Sequence, residues 1–153
     1  METMRMPVAE HPFFKGFESQ HLDLLAGCAS SARFEAGQYI FREGDFSNAF
    51  YAIQRGKVAL EVFVPGKGSI TIQTLSDGDV LGWSWLVPPH KKQFDAQAIE
   101  PTQVLKLDAE CLRAKCEEYP KLGYELLRRV VQILGQRLQA TRLQLLDVYG
   151  AGR

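Results

Sequence analysis

Residues 50–64 read FYAIQRGKVALEVFV, and this stretch decides the fold. Two runs rich in β-branched and aromatic residues stand on either side of Arg55-Gly56, a pair typical of a tight turn with a residue at positive φ. Alternate residues of the second run are apolar and share one face of a strand: Val58, Leu60, Val62 and Val64. The stretch therefore predicts two strands joined by a turn.

The same pattern extends outward over residues 31–107. Glycines at 37, 44, 56, 66, 68, 78 and 82 separate short runs of strand-forming residues, and residues 65–68 (PGKG) form a hairpin connection. No segment between the runs is long enough for the crossover helix that a parallel sheet needs. The sequence therefore predicts an antiparallel β-roll or jelly roll, within a mainly β fold flanked by helices.

Helices are predicted on both sides of this β region. Ser19 is placed to cap a short helix, and the aromatic segment of residues 11–17 before it is expected to pack on the core. Asp108 caps a helix over residues 109–116. Pro120 then opens a longer helix that runs to about Tyr149. The C-terminal helical part thus covers about residues 108–149.

The long helix carries two apolar stripes in its first half. One follows an uninterrupted 4,3 spacing over three heptads: Leu127, Val131, Leu134, Leu138, Thr141, Leu145 and Val148. We call these seven residues the seam. The other stripe consists of Leu122, Leu126, Val130 and Ile133. We expect the second stripe to pack on the roll and the seam to pair with a second copy in a homodimer. The alternative is a helix folded back on its own domain.

Composition narrows the class of protein. The 153 residues are one domain's worth of chain, and 18 basic residues balance 18 acidic ones. No apolar run approaches a membrane span, and the first seven residues do not form a signal peptide. We therefore expect a cytoplasmic protein without membrane attachment.

The sequence offers little for catalysis or metal binding. The three histidines are scattered, and no nucleophile motif is present, so neither a metal site nor an enzyme is expected. Cys28, Cys111 and Cys116 are an odd number, and we expect all three to be reduced thiols.

Three motifs together resemble the cyclic-nucleotide-binding domain of catabolite-activator-type regulators. They are residues 38–45 (QYIFREGD), residues 49–58 (AFYAIQRGKV) and residues 75–82 (LSDGDVLG). The last resembles the Gly-Asp-x-x-Gly that leads into the family's phosphate-binding cassette. The resemblance covers nearly the whole chain and implies a regulatory sensor that binds cAMP, cGMP or another small anionic ligand.

The cassette residues depart from the family pattern at two telling places. After Gly82, the family usually has a Glu that takes the ribose hydroxyl, and here Trp83 stands there. Counting back from the following strand places Lys92 where the family has its phosphate-binding Arg, and Phe94 where a small residue is usual. The candidate ligand site is Gly82, Trp83, Ser84, Trp85, Lys92, Gln93 and Phe94.

These departures leave three readings open: a cyclic nucleotide, another small anion, or no ligand. Lys offers a point charge where Arg offers a planar fork, so a phosphate would be held less directionally. If Trp83 or Phe94 plugs the pocket, the domain is a ligand-free interaction module with a protein partner. Trp83 and Trp85 are expected to point the same way from an extended segment, as core filler or as an interface anchor. Ser84 is expected to cap a short helical turn.

The resembled regulators carry a DNA-binding part after the long helix. This sequence stops at Arg153, and its long helix has only a modest positive excess, which fits solvated helix faces. We therefore expect a stand-alone domain that does not bind DNA on its own.

Overall fold

The computed structural model describes residues 4–86 and 88–151, with side chains to residue 148. Two helices come first: α1 (Arg5–Glu10) and α2 (Ser19–Gly27). Eight strands follow: β1 (Ala29–Phe34), β2 (Tyr39–Phe41), β3 (Ala49–Arg55), β4 (Val58–Val64), β5 (Gly68–Leu75), β6 (Val80–Leu81), β7 (Asp95–Ala98) and β8 (Thr102–Asp108). A 3-10 helix, Trp83–Leu86, lies between β6 and β7, and the helices α3 (Ala109–Glu118) and α4 (Pro120–Ala151) come last.

The strands form two four-stranded antiparallel sheets, which confirms the predicted β-roll. The first sheet has the order β1-β8-β3-β6, and the second has the order β2-β7-β4-β5. Tyr51 and Ile53 face Leu60 of the second sheet in the interior of the roll. Phe50 and Ala52 face the helices, in a separate apolar cluster. Strand β3 is therefore buried on both faces, which is why its sequence is apolar almost throughout.

The turn between β3 and β4 depends on Gly56. Its φ is +129°, and a Cβ on it would overlap the backbone and side chain of Thr102. A side chain at this position would therefore be both strained and obstructed. The positive-φ turn that the sequence predicted at Arg55-Gly56 is confirmed.

The N-terminal segment covers the helix side of the first sheet. Phe13, Phe14 and Phe17 are buried, as predicted for this aromatic stretch. His11 is buried beside them, where its Nδ1 accepts a hydrogen bond from the backbone N–H of Phe13 and its Nε2 donates to Ile53 O at 2.8 Å. Burial lowers the pKa of His11, which favours this neutral form.

One local expectation is wrong, and two short elements were not predicted. The residue before α2 is Glu18, and Ser19 is the first helical residue, whose hydroxyl accepts a hydrogen bond from Arg5 at 2.9 Å. Arg5 belongs to α1, a helix that the sequence reading did not anticipate. The two-residue strand β6 was also missed. By contrast, Asp108 does cap α3, where its carboxylate accepts from Cys111 N at 2.9 Å.

The expectation of three reduced thiols is wrong for two of them. Cys28 and Cys111 form a disulfide across a sequence separation of 83, with Cα atoms 5.6 Å apart. The β1–β8 ladder pairs Ala29 with Leu107. Cys28 directly precedes Ala29 and Cys111 lies four residues after Leu107, so the ladder brings the two cysteines close together. Cys116 is free and half-buried.

The helix α4 begins at Pro120 and continues to Ala151, slightly beyond the predicted end near Tyr149. Its stripe of Leu122, Leu126 and Val130 is buried against the cluster on the helix side of the first sheet. In the part of the chain that the structure describes, no helix combines the length and the hydropathy needed to cross a membrane.

We predict that Cys28→Ser lowers the free energy of unfolding by about 4 kcal/mol, because the bond closes a long loop in the unfolded chain. Urea denaturation without reductant measures the difference. Cys116→Ser is the matched control and should change stability by less than about 1 kcal/mol. Three reactive thiols in the untreated, unfolded wild type would contradict the disulfide.

Candidate cyclic-nucleotide-binding cassette

The segment between β6 and β7 begins at Gly82 and places the predicted site residues. Gly82 has φ +87°, and a Cβ on it would lie 2.8 Å from Lys92 Nζ and 3.2 Å from Ala49 O. Only glycine lets the backbone and the amine approach this closely without strain. The structure thus brings Gly82 and Lys92 together, ten residues apart in the sequence.

The Lys92 side chain is enclosed inside the roll. It is only 3% exposed, and its amine donates a hydrogen bond to Ala49 O at 3.2 Å. The Nζ atom lies 4.2 Å from the centroid of the Phe41 ring and 5.6 Å from that of Tyr51. Burial lowers the pKa of Lys92 from 10.5 to about 8, and the carboxylate of Asp45 partly opposes this.

Backbone contacts fix the position of this lysine. Lys92 N donates to Asp45 O at 2.8 Å, and Gly44 N donates to Lys92 O at 2.9 Å. The buried carboxylate of Asp95 accepts from Glu43 N at 2.7 Å and lies 3.3 Å from Arg42 Nε. The Glu-Gly-Asp turn and the end of the cassette are therefore held as one unit. Sequence reasoning missed Asp95, and the strand that it begins, DAQA, carries little signal because Gln97 is polar as well.

The two tryptophans do not share one face, contrary to the expectation. They lie in the 3-10 helix Trp83–Leu86, where residues two apart point in different directions. Trp85 is 1% exposed and packs beside Phe50 on the helix side of the first sheet. Trp83 is half-buried and contacts the Phe94 ring edge-on, with centroids 6.5 Å apart. Of the pair, Trp83 therefore lies at the cassette and Trp85 in the core.

The remaining predicted residues are placed as follows. Phe94 packs against the interior cluster of the roll, with its ring centroid 6.4 Å from that of Phe41. Gln93 is exposed, and its side chain donates to Lys91 O at 3.3 Å. Ser84 lies inside the 3-10 helix, which begins one residue earlier, so the capping role expected for it is wrong. The structure thus gathers Gly82, Lys92, Trp83 and Phe94 and leaves Gln93 outside.

Arg137 is a residue at this site that the sequence reading assigned to a solvated helix face. From α4 its Nη2 donates to Val80 O at 2.6 Å, and its Cζ lies 4.7 Å from the centroid of the Trp83 ring. Burial lowers its pKa, which the nearby Asp79 opposes. The long helix therefore contacts the cassette directly through one cation. Arg129 is also not solvated, since its Nη1 donates to Phe13 O and Lys15 O.

The two stripes of α4 have opposite exposures. The stripe next to the roll is buried, whereas the apolar residues of the seam are 37% to 68% exposed. Thr141, the polar member of the seam, is exposed and donates its hydroxyl to Arg137 O at 3.0 Å. The helix therefore offers one apolar face to its own roll and a second one to solvent.

The fold and the cassette agree with a known family. A sequence model described as the cyclic nucleotide-binding domain matches residues 31–119, more than half of the chain. The chain belongs to this family. The matched region contains the cassette and all of the roll except the first two residues of β1.

Individual relatives extend the likeness beyond the matched region. The cyclic AMP receptor protein of Thermus thermophilus is 28% identical over 88% of this chain and 60% of its own. The cyclic nucleotide-gated ion channel 18 of Arabidopsis thaliana is 27% identical over 84% of this chain and 20% of its own. This chain therefore spans three fifths or less of these relatives.

Solved structures show the same fold. A cyclic nucleotide-binding domain from Methylobacillus flagellatus has a TM-score of 0.81 and 22% identity, covering 94% of this chain and 83% of its own. The shared architecture includes the sheets and the flanking helices.

The cassette holds a cation against Gly82 and an aromatic ring directly after it. Lys92 supplies a cation over Gly82, as the family resemblance implies for the phosphate. The ring of Trp83 stands where the resemblance implies a carboxylate for the ribose hydroxyl, and it is engaged with Phe94 and Arg137. The polar contact of the Lys92 amine is with one backbone carbonyl.

We predict that Lys92→Met stabilises the ligand-free protein at pH 7 by up to about 3 kcal/mol, because it removes a buried charge. Below pH 8 the amine is protonated in both the folded and the unfolded chain, so the full cost of burial is present. Between pH 8 and 10.5 only the unfolded chain stays protonated, and wild-type stability therefore rises with pH.

Urea denaturation at pH 7 and pH 10 measures this effect, and the difference between variant and wild type should shrink at the higher pH. The neighbouring Lys91 is exposed, so Lys91→Met is a matched control that should change little. A Lys92→Met protein that is less stable at pH 7 would show that the contacts of the amine outweigh its desolvation.

Proposed function

We propose that this chain is a regulatory sensor domain that binds a small anionic ligand at Lys92 and acts through a homodimer of α4. The observation that carries the proposal is the buried Lys92 amine against Gly82, inside a domain of the cyclic-nucleotide-binding family. A cyclic nucleotide is the first ligand to test. The cytoplasm stays the predicted location.

The energetics of Lys92 support a binding role. An enclosed ammonium with one carbonyl partner is a costly group in a core that is otherwise apolar. An anion that enters the cassette offsets this cost by forming a charge-assisted hydrogen bond with the amine. Perturbed ionisable groups of this kind cluster at functional sites.

Trp83 connects the cassette to α4 through its contact with Arg137. Trp83 follows Gly82 directly and meets Arg137, which also holds the carbonyl of Val80 two residues before Gly82. A ligand that moves the Gly82 backbone would therefore shift both contacts of Arg137. We expect this shift to change the position of α4 relative to the roll.

The exposed seam supports a dimer. Apolar residues at heptad spacing on a helix of 32 residues are typical of a helix that pairs with another helix. A symmetric pair would bury the seam of each copy against the other.

The ligand prediction is that cAMP or cGMP binds to the wild type and that Lys92→Met weakens binding at least tenfold, since a hydrogen bond to a charged group is lost. Isothermal titration at pH 7 measures this with cAMP, cGMP and AMP, and Lys91→Met should bind as the wild type does. The affinity should also fall above pH 8, where the amine loses its proton.

The position of the Lys92 amine also favours a second function. Lys92 Nζ already fills the space over Gly82, and the rings of Trp83 and Phe94 pack together beside it. A cassette closed in this way would make the domain a ligand-free interaction module with a protein partner. Absence of heat with all three nucleotides would contradict the nucleotide sensor and favour this module.

The dimer prediction is that Leu138→Lys converts a dimer into a monomer, because it places two charges at the centre of the paired seam. Light scattering coupled to gel filtration measures the mass at high micromolar concentration. Gln139→Lys, next to it on an exposed part of α4 but outside the seam, should leave the dimer intact. A wild type that is monomeric at this concentration would exclude the dimer.

A further inference from the structure

A cavity at one end of the roll is separate from the cassette. It has a volume of about 440 Å³. Its apolar lining consists of Phe34, Ile40, Phe41, Phe46 and Tyr51, and its polar lining consists of Asp45, Asn48 and Lys106. We call it the end cavity. Gly82, Trp83 and Lys92 are not among the residues that line it.

The sheet register explains why a lysine stands at this cavity. Lys106 of β8 lies opposite Tyr51 of β3, so the two side chains project from the same face of the first sheet. Val104, two residues before Lys106, is fully buried in the interior cluster on that face. Lys106 is exposed, and it therefore marks the place where the interior face of the roll meets solvent.

Aromatic rings form the wall next to this lysine. The Phe34 and Tyr51 rings meet edge-on with centroids 6.4 Å apart, and the Phe41 and Tyr51 centroids are 6.2 Å apart. Phe41 and Tyr51 are buried, whereas Phe34 is half-buried and Phe46 is exposed, so a flat apolar group at the cavity would meet mainly the accessible rings of Phe34 and Phe46.

The charge at the rim favours an anion. Asp45 is already engaged, since its carboxylate accepts a hydrogen bond from Arg42 N at 2.9 Å and also interacts with the Lys92 ammonium. Within residues 4–86 and 88–148, the ammonium of Lys106 has no ion-pair partner. In this part of the chain, Lys106 is therefore the cation of the cavity lining whose charge is not balanced by an ion pair.

We propose that the end cavity binds a small aromatic carboxylate, with its ring against Phe34 and Phe46 and its carboxylate at Lys106. The site is distinct from the cassette, but the two share a wall, because the rings of Phe41 and Tyr51 also contact the Lys92 amine.

Phenylacetate is the probe, and ligand-observed NMR on the full chain is the measurement. Saturation transfer should be seen for phenylacetate, and intermolecular NOEs should connect its ring protons to those of Phe34 and Phe46. Acetate lacks the ring and 2-phenylethanol lacks the charge, so both should bind more weakly. Lys106→Met should weaken phenylacetate by about fivefold, the upper end of the range for a solvent-exposed charge pair.

Two matched variants locate the site. Lys67→Met removes an exposed lysine of the β4–β5 connection and should leave the affinity unchanged within twofold. Lys92→Met should likewise retain the NOEs to Phe34. NOEs to Trp83 or Phe94 together with loss of binding in Lys92→Met would place the anion in the cassette, which supports the proposed function and overturns this inference. Equal binding of 2-phenylethanol, or no saturation transfer, also overturns it.

Discussion

The close approach of a buried ammonium to a glycine backbone is the constraint on which the rest of the site depends. Gly82 admits the Lys92 amine because it has no Cβ and adopts a positive φ. The amine in turn requires the acceptor at Ala49 and the ring of Phe41, both on strands of the roll. A cation is thus placed where the chain turns out of the first sheet. Burial of this cation costs free energy of folding, and an anionic ligand would reduce that cost.

Much of the fold could be predicted because its signals are local. Alternation in β4, the glycine turns and the Pro120 helix start each depend on a few consecutive residues. Only the family resemblance placed Lys92 and Gly82 in one candidate site, and their direct contact was not predicted. In contrast, the pairing of Cys28 with Cys111 follows from the β1–β8 ladder, and no local pattern encodes which distant residues such a ladder aligns.

The errors at the site have two origins, one local and one long-range. An extended segment and a 3-10 helix differ in side-chain direction, so one wrong local assignment placed Trp83 and Trp85 on a common face. From the sequence, Arg137 could not be distinguished from an exposed helix cation, because its position in α4 does not show which side of the helix packs on the roll. Its role is visible only in the structure, where it contacts both the carbonyl of Val80 and the ring of Trp83.

These contacts join the cassette and the seam through neighbouring faces of one helix. Arg137 contacts the cassette, and the next residue, Leu138, belongs to the exposed seam. Rotation of α4 by a fraction of a turn would therefore change the cassette contacts and the seam at once. Because α4 is one continuous helix of 32 residues, such a rotation would reach the whole length of the seam. In the proposed sensor, a ligand that moves the Gly82 backbone would therefore act on the dimer through the contact of Arg137 with Trp83.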